Sequence, residues 1–206
     1  MSDVKFVYFN VRGLGEPARL ILHHAKVDFK DERLTHEDWP KLKPKTKTGK
    51  LPFLEYDGHT IVESNAINRF LARKYNLAGK DDYEGALIDG IADVQKDFYA
   101  AVAPWLYTLL GFRQGNPADL KKEHLDDSLA RFLPMYSNFL KEAKSGFMAP
   151  SGLSWADFVI TEFLITLLNV EPKVLDGHDD IKQYLERVKN VPQLKEYYAS
   201  RPDSKN

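Results

Sequence analysis

The sequence predicts an α/β domain followed by an all-helical domain, and two observations support this assignment. Strand and helix patterns alternate over residues 1–79, whereas residues 80–206 show helical spacing and no convincing strand. Gly79 ends one helical pattern and Asp81 opens the next, so the predicted boundary lies between residues 79 and 80. A chain of 206 residues could form one large domain or two small ones, so the length alone does not choose between them.

The first strand and helix are predicted by residues 4–25. Residues 4–9 are mostly β-branched and aromatic, which is typical of a strand buried on both faces. A glycine-rich turn follows at residues 12–15, and Pro17 suits the first turn of a helix. Apolar residues then recur at helical spacing, at Ala18, Ile21, Leu22 and Ala25.

The remaining elements of the first domain follow in the order strand, hairpin, helix. A short strand over residues 29–34 completes a βαβ unit, and right-handed crossover makes its two strands parallel. Residues 51–56 and 60–62 predict a hairpin around Asp57-Gly58. A helix begins at Ser64. The order βαβ and then ββα describes a small α/β domain.

Two long helices open the second domain. Asp81 and Glu84 are predicted to cap the first of them reciprocally. Glycine and proline interrupt the helical spacing at residues 111–117, and a second long helix is predicted over residues 118–144.

The third helix of this domain has the clearest start signal. Ser154 and Asp157 form an S-x-x-D capping box, and the residues after them are apolar on nearly every side. That pattern predicts a central, buried helix. Shorter helices are predicted after Asp179 and Pro192, and we expect the tail from Arg201 to be mobile.

Composition excludes several classes of function. The net charge of -1 argues against a nucleic-acid partner. No apolar run reaches the length of about 18 residues that a membrane span needs, and the N-terminus lacks a signal-peptide core, so we expect a cytosolic protein without a membrane partner. The chain has no cysteine, so thiol chemistry would require a thiol supplied by the ligand.

Residues 49–64 predict an anion site built largely from backbone. Pro52 interrupts strand pairing and leaves neighbouring backbone groups available to a ligand. Ser64 stands at a helix start, where unpaired amide groups collect. An acidic tripeptide would fit such a site.

An ordered set of motifs over both domains resembles the cytosolic glutathione transferases. The motifs are Tyr8-Phe9-Asn10-x-Arg12-Gly13, Trp39, Lys43, Gly49-Lys50-Leu51-Pro52, Glu63-Ser64 and Ser154-x-x-Asp157. They are most similar to the sigma-like group of invertebrates, nematodes included, which also contains the glutathione-dependent prostaglandin D isomerase. The resemblance implies a thioredoxin-like first domain, a helical-bundle second domain, a cis peptide bond before Pro52 and a homodimer. It also implies glutathione as co-substrate with no tightly bound cofactor, and a small apolar electrophile as the second substrate.

Tyr8 is the candidate catalytic residue. A free thiol has a pKa of about 8.5, so a hydroxyl that donates to sulfur is needed to favour thiolate at neutral pH. Tyr8 ends the first strand just before the glycine turn, and no serine or threonine lies between Val4 and Arg33 to take its place. The alternative is an aromatic residue that fills the core. In the catalytic interpretation, the phenol stays protonated and donates to the sulfur.

The resemblance also assigns the glutathione contacts. Ser64 binds the γ-glutamyl carboxylate, Leu51 pairs through its backbone, and Glu63 occupies a position where close relatives carry glutamine. The full implied set is Tyr8, Trp39, Lys43, Lys50, Leu51, Pro52, Glu63, Ser64 and Asp97. For Lys43 and Lys50, the alternative is a solvated loop.

The electrophile pocket is expected to be apolar. Its candidate residues are Phe9, Leu14, Trp105 and Tyr107, with core packing as the alternative for the aromatic ones. Leu14 replaces an arginine that many close relatives carry, which bears on both thiol ionisation and prostaglandin chemistry. Arg12 either supports the thiolate or holds the domains together.

Charged residues suggest a dimer interface. Three carboxylates recur every four residues on one helical face, at Asp89, Asp93 and Asp97. Arg69 and Arg73 form a basic pair on the preceding helix, and the two stripes are expected to meet across a two-fold axis. By resemblance, Asp97 reaches the partner's glutathione. No metal site is expected, because Lys96 occupies a position where the isomerase has another aspartate.

Three functions are therefore compatible with the sequence. The first is a transferase that conjugates glutathione to apolar electrophiles in detoxification. The second is a glutathione-dependent isomerase of prostaglandin D type. The third is a non-catalytic member that binds ligands or serves a structural role.

Overall fold

A computed structural model describes residues 3–202 and 204. Its N-terminal part contains a four-stranded mixed sheet in the order β2-β1-β3-β4, in which β1 runs parallel to β2 and antiparallel to β3. The elements are β1 (Val4–Phe9), α1 (Glu16–His24), β2 (Lys30–Leu34), α2 (Trp39–Leu42), β3 (Phe53–Tyr56), β4 (His59–Val62) and α3 (Ser64–Lys74). The predicted βαβ-ββα order is confirmed, with β3 beginning two residues later than expected.

The C-terminal part is helical. Its elements are α4 (Asp82–Leu109), α5 (Pro117–Leu120), α6 (Asp127–Ala143), α7 (Trp155–Val170), α8 (Asp179–Lys189) and α9 (Lys195–Ser200). The helix predicted over residues 118–144 is interrupted, because residues 121–126 form a π-helical segment between α5 and α6. Within the described ranges, no helix is long and apolar enough to cross a membrane.

Helix α7 is the central element, as its sequence predicts. It packs against α1, α3, α4 and α8. The Ser154–Asp157 capping box is present, and the Asp157 carboxylate also accepts a hydrogen bond from Met148 N–H at 2.9 Å. Asp157 is completely buried, and these hydrogen bonds supply the partners that a buried carboxylate requires.

The cap of α4 differs from the prediction. Asp81 accepts from Glu84 N–H at 2.9 Å, but Glu84 does not return a bond to the Asp81 backbone. Its carboxylate accepts from Lys80 N–H at 2.8 Å and from Ser151 N–H at 2.7 Å. Glu84 therefore ties the start of α4 to the loop before α7. The predicted boundary between residues 79 and 80 lies between α3 and α4 and stays a prediction.

Candidate active site

Tyr8 lies near the C-terminal end of β1 and is 8% exposed. Its hydroxyl oxygen accepts a hydrogen bond from Leu14 N–H at 3.2 Å, so the phenolic proton remains available to another acceptor. Burial raises the pKa of Tyr8 above its ordinary value of 10.0, and the nearby Tyr107 adds to this effect. The phenol is consequently protonated at neutral pH and is suited to donate rather than to abstract a proton.

The glycines of the following turn allow the Tyr8 ring to occupy this position. A Cβ on Gly15 would lie 2.3 Å from Tyr8 Cδ1, and a Cβ on Gly13 would lie 2.8 Å from the Tyr8 hydroxyl. Gly13 also has a φ of +37°, which disfavours a side chain. From the sequence, residues 12–15 are predicted only to form a turn. Their spacing directly after a strand that carries a tyrosine is the signal for a close approach of ring and backbone.

The end of the β1–β3 ladder brings Pro52 towards Tyr8. The last paired residues are Val7 and Phe53, so the next position in register would place Pro52 opposite Tyr8. Pro52 has no N–H to continue the ladder. The Leu51-Pro52 peptide bond is cis, as the resemblance implied. Leu51 and Pro52 thus lie at the same end of the sheet as Tyr8.

The start of α3 is a candidate anion site. Ser64 is the first helical residue, and Glu63 takes the N-cap position with a φ of +69°. This left-handed conformation is costly for a non-glycine residue, and such strain is found preferentially at functional sites. Amide groups at the start of α3 have no intrahelical acceptor and favour a negative charge. The sequence reading placed Ser64 at the start of a helix but missed the strain at Glu63.

The lysine-rich loop lies beside the same segment. Trp39 is half-buried against the small core formed by Val7, Leu34 and Phe53, which holds α2 next to the sheet. Lys43 follows α2, and a Cβ on Gly49 would lie 3.7 Å from its Cε. Lys43 and Lys50 are both exposed. Two ammonium groups can therefore flank the backbone of residues 49–51.

The candidate electrophile residues are not equally available. Leu14 is 39% exposed and Tyr107 is 37% exposed, whereas Trp105 is only 3% exposed within the main core. Phe9 is half-buried and packs edge-on to Tyr8, with ring centroids 5.8 Å apart. Leu14, Phe9 and Tyr107 can present apolar surface near Tyr8, and Trp105 mainly supports the core beneath them.

The acidic stripe is only partly as expected. Arg69 forms an ion pair with Asp89 of the same chain at 2.8 Å, so this guanidinium already has a partner within its own subunit. Asp93 and Asp97 are exposed on α4, and Arg73 is exposed on α3. Across residues 3–202 and 204, no group of three or more metal-ligating side chains could hold an ion.

A buried charge network joins the Tyr8 loop to the C-terminal part. Arg201 Nη1 donates to Glu16 at 3.1 Å and to Glu162 at 2.9 Å. Glu162 also accepts from Arg12 at 3.1 Å, and Glu16 accepts from Arg19 at 3.1 Å. All five side chains are at most 12% exposed. Arg12 therefore holds the two parts of the chain together, which was one of its two predicted roles.

Two features of this network escaped the sequence reading. Arg19 donates to the carbonyl groups of Phe9 and Val11, at 3.2 and 2.8 Å, and so fixes the backbone directly after Tyr8. The expected mobility of the tail from Arg201 is wrong for Arg201 itself, because that side chain lies within the network. Of the remaining tail, residues 203, 205 and 206 lie outside the described residues.

The described features together outline one candidate ligand site. A buried phenol lies near the end of one strand of a mixed sheet, Pro52 is next in register beside it, and the helical part packs against this half of the chain. Such an arrangement suits an enzyme that binds a small ligand beside a hydroxyl donor.

Comparison with known proteins identifies the family. Residues 4–73 match the N-terminal domain of glutathione S-transferases, and residues 96–201 match their C-terminal domain. Glutathione S-transferase 1 of Ascaris suum is 44% identical, with 98% of each chain covered. The chain therefore belongs to the glutathione S-transferase family, and glutathione is its co-substrate.

Solved structures agree with this assignment. The glutathione S-transferase of Ascaris lumbricoides has a TM-score of 0.95 and 43% identity, covering 99% of this chain and 100% of that one. The prostaglandin synthase D of Nilaparvata lugens has a TM-score of 0.87 and 31% identity, covering 98% of this chain and 99% of that one. The predicted fold class, a thioredoxin-like α/β domain followed by an all-α domain, is confirmed.

Replacement of Gly15 by alanine tests the packing of Tyr8. The new Cβ would force the ring to move, and a misplacement of about 1 Å can reduce rates by about 10²-fold, so we expect kcat/KM to fall by that order. The measurement is glutathione conjugation to an activated aryl halide, with near-ultraviolet circular dichroism to verify folding. Gly90→Ala is the matched control, because no heavy atom lies within 4 Å of its Cβ position and its activity should be unchanged. Wild-type activity in folded Gly15→Ala protein would contradict the packing argument.

Proposed function

We propose that the protein transfers alkyl and aryl groups to glutathione and that the Tyr8 hydroxyl stabilises the glutathione thiolate. The observation that carries this proposal is the Tyr8 hydroxyl itself, which is buried, protonated and already accepts the Leu14 N–H. Its own proton can then be donated to sulfur. A hydrogen bond to the charged form lowers the thiol pKa.

The reaction then follows from nucleophilic chemistry. The thiol loses its proton to solvent, and the thiolate forms a bond to the electrophilic carbon. The leaving group departs with the electron pair of the bond that breaks. The protein contributes the donor at Tyr8 and the fixed position of the sulfur beside the electrophile pocket.

Glutathione recognition is proposed along the backbone edge described above. The helix start at Ser64 binds the γ-glutamyl carboxylate, Glu63 pairs with the ammonium group, and the Leu51 backbone next to Pro52 pairs with the cysteinyl unit. Lys43, Lys50 and Trp39 surround the glycyl carboxylate. The charges support this orientation, because two exposed lysines lie at one end of the site and a helix N-terminus at the other.

The electrophiles are proposed to be small and apolar. Phe9, Leu14 and Tyr107 offer apolar surface close to Tyr8, and Trp105 supports it from the core. We also propose membership of the sigma-like group and a cytosolic role in detoxification. A panel of electrophiles tests the substrate class, and cell fractionation tests the location.

Replacement of Tyr8 by phenylalanine tests the thiolate mechanism. Loss of one preorganised donor typically costs about 10²–10³-fold, so we expect kcat/KM near neutral pH to fall by about 10²-fold. Because the donor lowers the thiol pKa, its removal should shift the rising limb of the pH–rate profile to higher pH, towards about 8.5. The measurements are conjugation rates across pH and the ultraviolet absorbance of the bound thiolate.

Tyr83→Phe is the matched control for this experiment. Tyr83 is 83% exposed on α4, and loss of its hydroxyl should change neither the rate nor the profile. A Tyr8→Phe profile that overlies the wild-type profile would rule out Tyr8 as the donor.

We propose in addition that the protein is a homodimer in which Asp97 contacts the partner's glutathione. Asp93 and Asp97 are exposed on α4 and Arg73 is exposed on α3, and none of the three has an ion-pair partner among the described residues. A two-fold axis would bring these opposite charges together.

Mixed dimers of Tyr8→Phe and Asp97→Asn subunits test this arrangement. If Asp97 acts across the interface, one site of each mixed dimer pairs an intact Tyr8 with an intact Asp97. The mixed species should then show about half of the wild-type kcat with a wild-type KM for glutathione. A raised KM in the mixed dimer, or a monomer in sedimentation experiments, would contradict the proposal.

A second candidate function is isomerisation of a lipid endoperoxide of prostaglandin D type. It is favoured by the likeness to the Nilaparvata lugens prostaglandin synthase D. We expect Leu14 to limit it, because no cation stands at that position beside Tyr8. Product analysis with a prostaglandin endoperoxide provides the test: one stereochemical product far above the uncatalysed distribution would support this function, and the uncatalysed distribution would reject it.

A further inference from the structure

A continuous row of aromatic rings lies beside Tyr8 and joins the N-terminal and C-terminal parts of the chain. Phe9 and His36 lie 5.1 Å apart between ring centroids, His36 and Phe112 lie 6.5 Å apart, and Phe112 and Tyr107 lie 6.3 Å apart. We call these four side chains the aromatic arch. Phe9 at one end is 5.8 Å from the Tyr8 ring, so the arch stands next to the proposed thiolate.

Phe112 is held in the arch by the way α4 ends. Gly111 has a φ of +80°, its N–H donates to Thr108 O at 3.2 Å, and Phe112 N–H donates to Tyr107 O at 2.8 Å. These bonds form a Schellman motif, which usually brings a hydrophobic contact between the residue after the glycine and the last helical turn. Here that contact is the ring pair of Phe112 and Tyr107. The position of Phe112 is therefore fixed by local backbone structure.

His36 is held from the opposite side by a closed turn between β2 and α2. The Thr35 hydroxyl donates to Asp38 Oδ2 at 2.5 Å, and Asp38 N–H donates back to the Thr35 hydroxyl at 3.2 Å. The backbone of residue 36 lies inside this reciprocal pair. Both sides of the arch are thus positioned before any ligand binds, which reduces the entropy that binding would cost.

The solvent-exposed surface of the arch is formed by aromatic rings. Phe112 is 60% exposed, although burial of a phenylalanine side chain is strongly favourable. Its neighbours on both sides are aromatic, with interplanar angles of 50° to His36 and 86° to Tyr107. Such tilted and edge-on walls match the preferred geometry of aromatic pairs with centroids about 4.5–7 Å apart. An aromatic substituent placed against the exposed face of Phe112 could adopt the same geometry, whereas an alkyl chain would gain only contact area.

We propose that Phe112 and His36 are specificity-determining residues that select electrophiles carrying an aromatic ring over aliphatic electrophiles of similar size. The inference rests on the proposed glutathione site, because the sulfur must be held beside Tyr8 for its substituent to reach the arch. Phe112 lies in the loop after α4 and His36 in the loop after β2, and their ring centroids are 6.5 Å apart. They select the second substrate and take no part in thiolate formation.

Binding of two glutathione conjugates tests the proposal without relying on turnover. The probes are S-benzylglutathione and S-hexylglutathione, which share the peptide and differ in the group that would meet the arch. Their dissociation constants are measured by isothermal titration calorimetry for the wild type, Phe112→Leu, His36→Gln and the double variant. Leucine keeps an apolar side chain at position 112 and removes the ring, and both positions are exposed, so folding should be preserved.

We expect the preference for the benzyl over the hexyl conjugate to fall about tenfold in the double variant, with a smaller fall in each single variant. Affinity for glutathione itself should be unchanged. Leu109→Ala is the control, because this residue is 39% exposed in the last turn of α4 and is not a member of the arch.

Two results would overturn the inference, and they are distinguishable. An unchanged preference in the double variant, with glutathione still bound, would reject the arch as the selector and leave the proposed function intact. Failure of the wild type to bind glutathione would reject the proposed site and the inference together.

Discussion

The buried pairing of two glutamates with three arginines is the interaction on which the site depends. Glu16 and Glu162 both accept a hydrogen bond from Arg201. Glu16 also accepts from Arg19, and Glu162 also accepts from Arg12. Buried charges are tolerated only when they are paired, and removal of one partner from such a group typically costs about 3–5 kcal/mol. Because Arg19 also holds the backbone after Tyr8, the network sets the position of the catalytic loop as well as the contact between the two parts of the chain.

Four features of the structure surround Tyr8. The sheet ends beside it because Pro52 cannot extend the ladder, the glycine turn packs against its ring, and Leu14 N–H occupies one acceptor site of its hydroxyl. Phe9, at one end of the aromatic arch, packs edge-on against the Tyr8 ring. In the proposed mechanism, recognition of the peptide and activation of its sulfur therefore fall to different groups: backbone and charged side chains would bind the peptide, and the Tyr8 phenol would stabilise the thiolate.

Most of the fold could be predicted because its signals are local. β1, the glycine turn, the hairpin at Asp57-Gly58 and the Ser154–Asp157 cap each depend on residues within a few positions of one another. Local signals do not predict which distant partner a side chain contacts. Glu84 bonds to Ser151 rather than completing the predicted local cap, and Arg69 pairs with Asp89 of its own chain, a contact that the spacing did not predict. Nothing in local spacing distinguishes these outcomes.

The order of elements, the family and the residues available for chemistry follow from the chain alone, because periodicity, glycine and proline positions, and short motifs act over a few residues. The packed structure was needed to show that Arg19 and Arg201 are buried in a shared charge network and that the His36 and Phe112 rings are in contact. It also decided that Trp105 is 3% exposed whereas Tyr107 is 37% exposed on the same helix. These are contacts between residues far apart in the chain, and their energies depend on burial, which exists only once the parts have packed together.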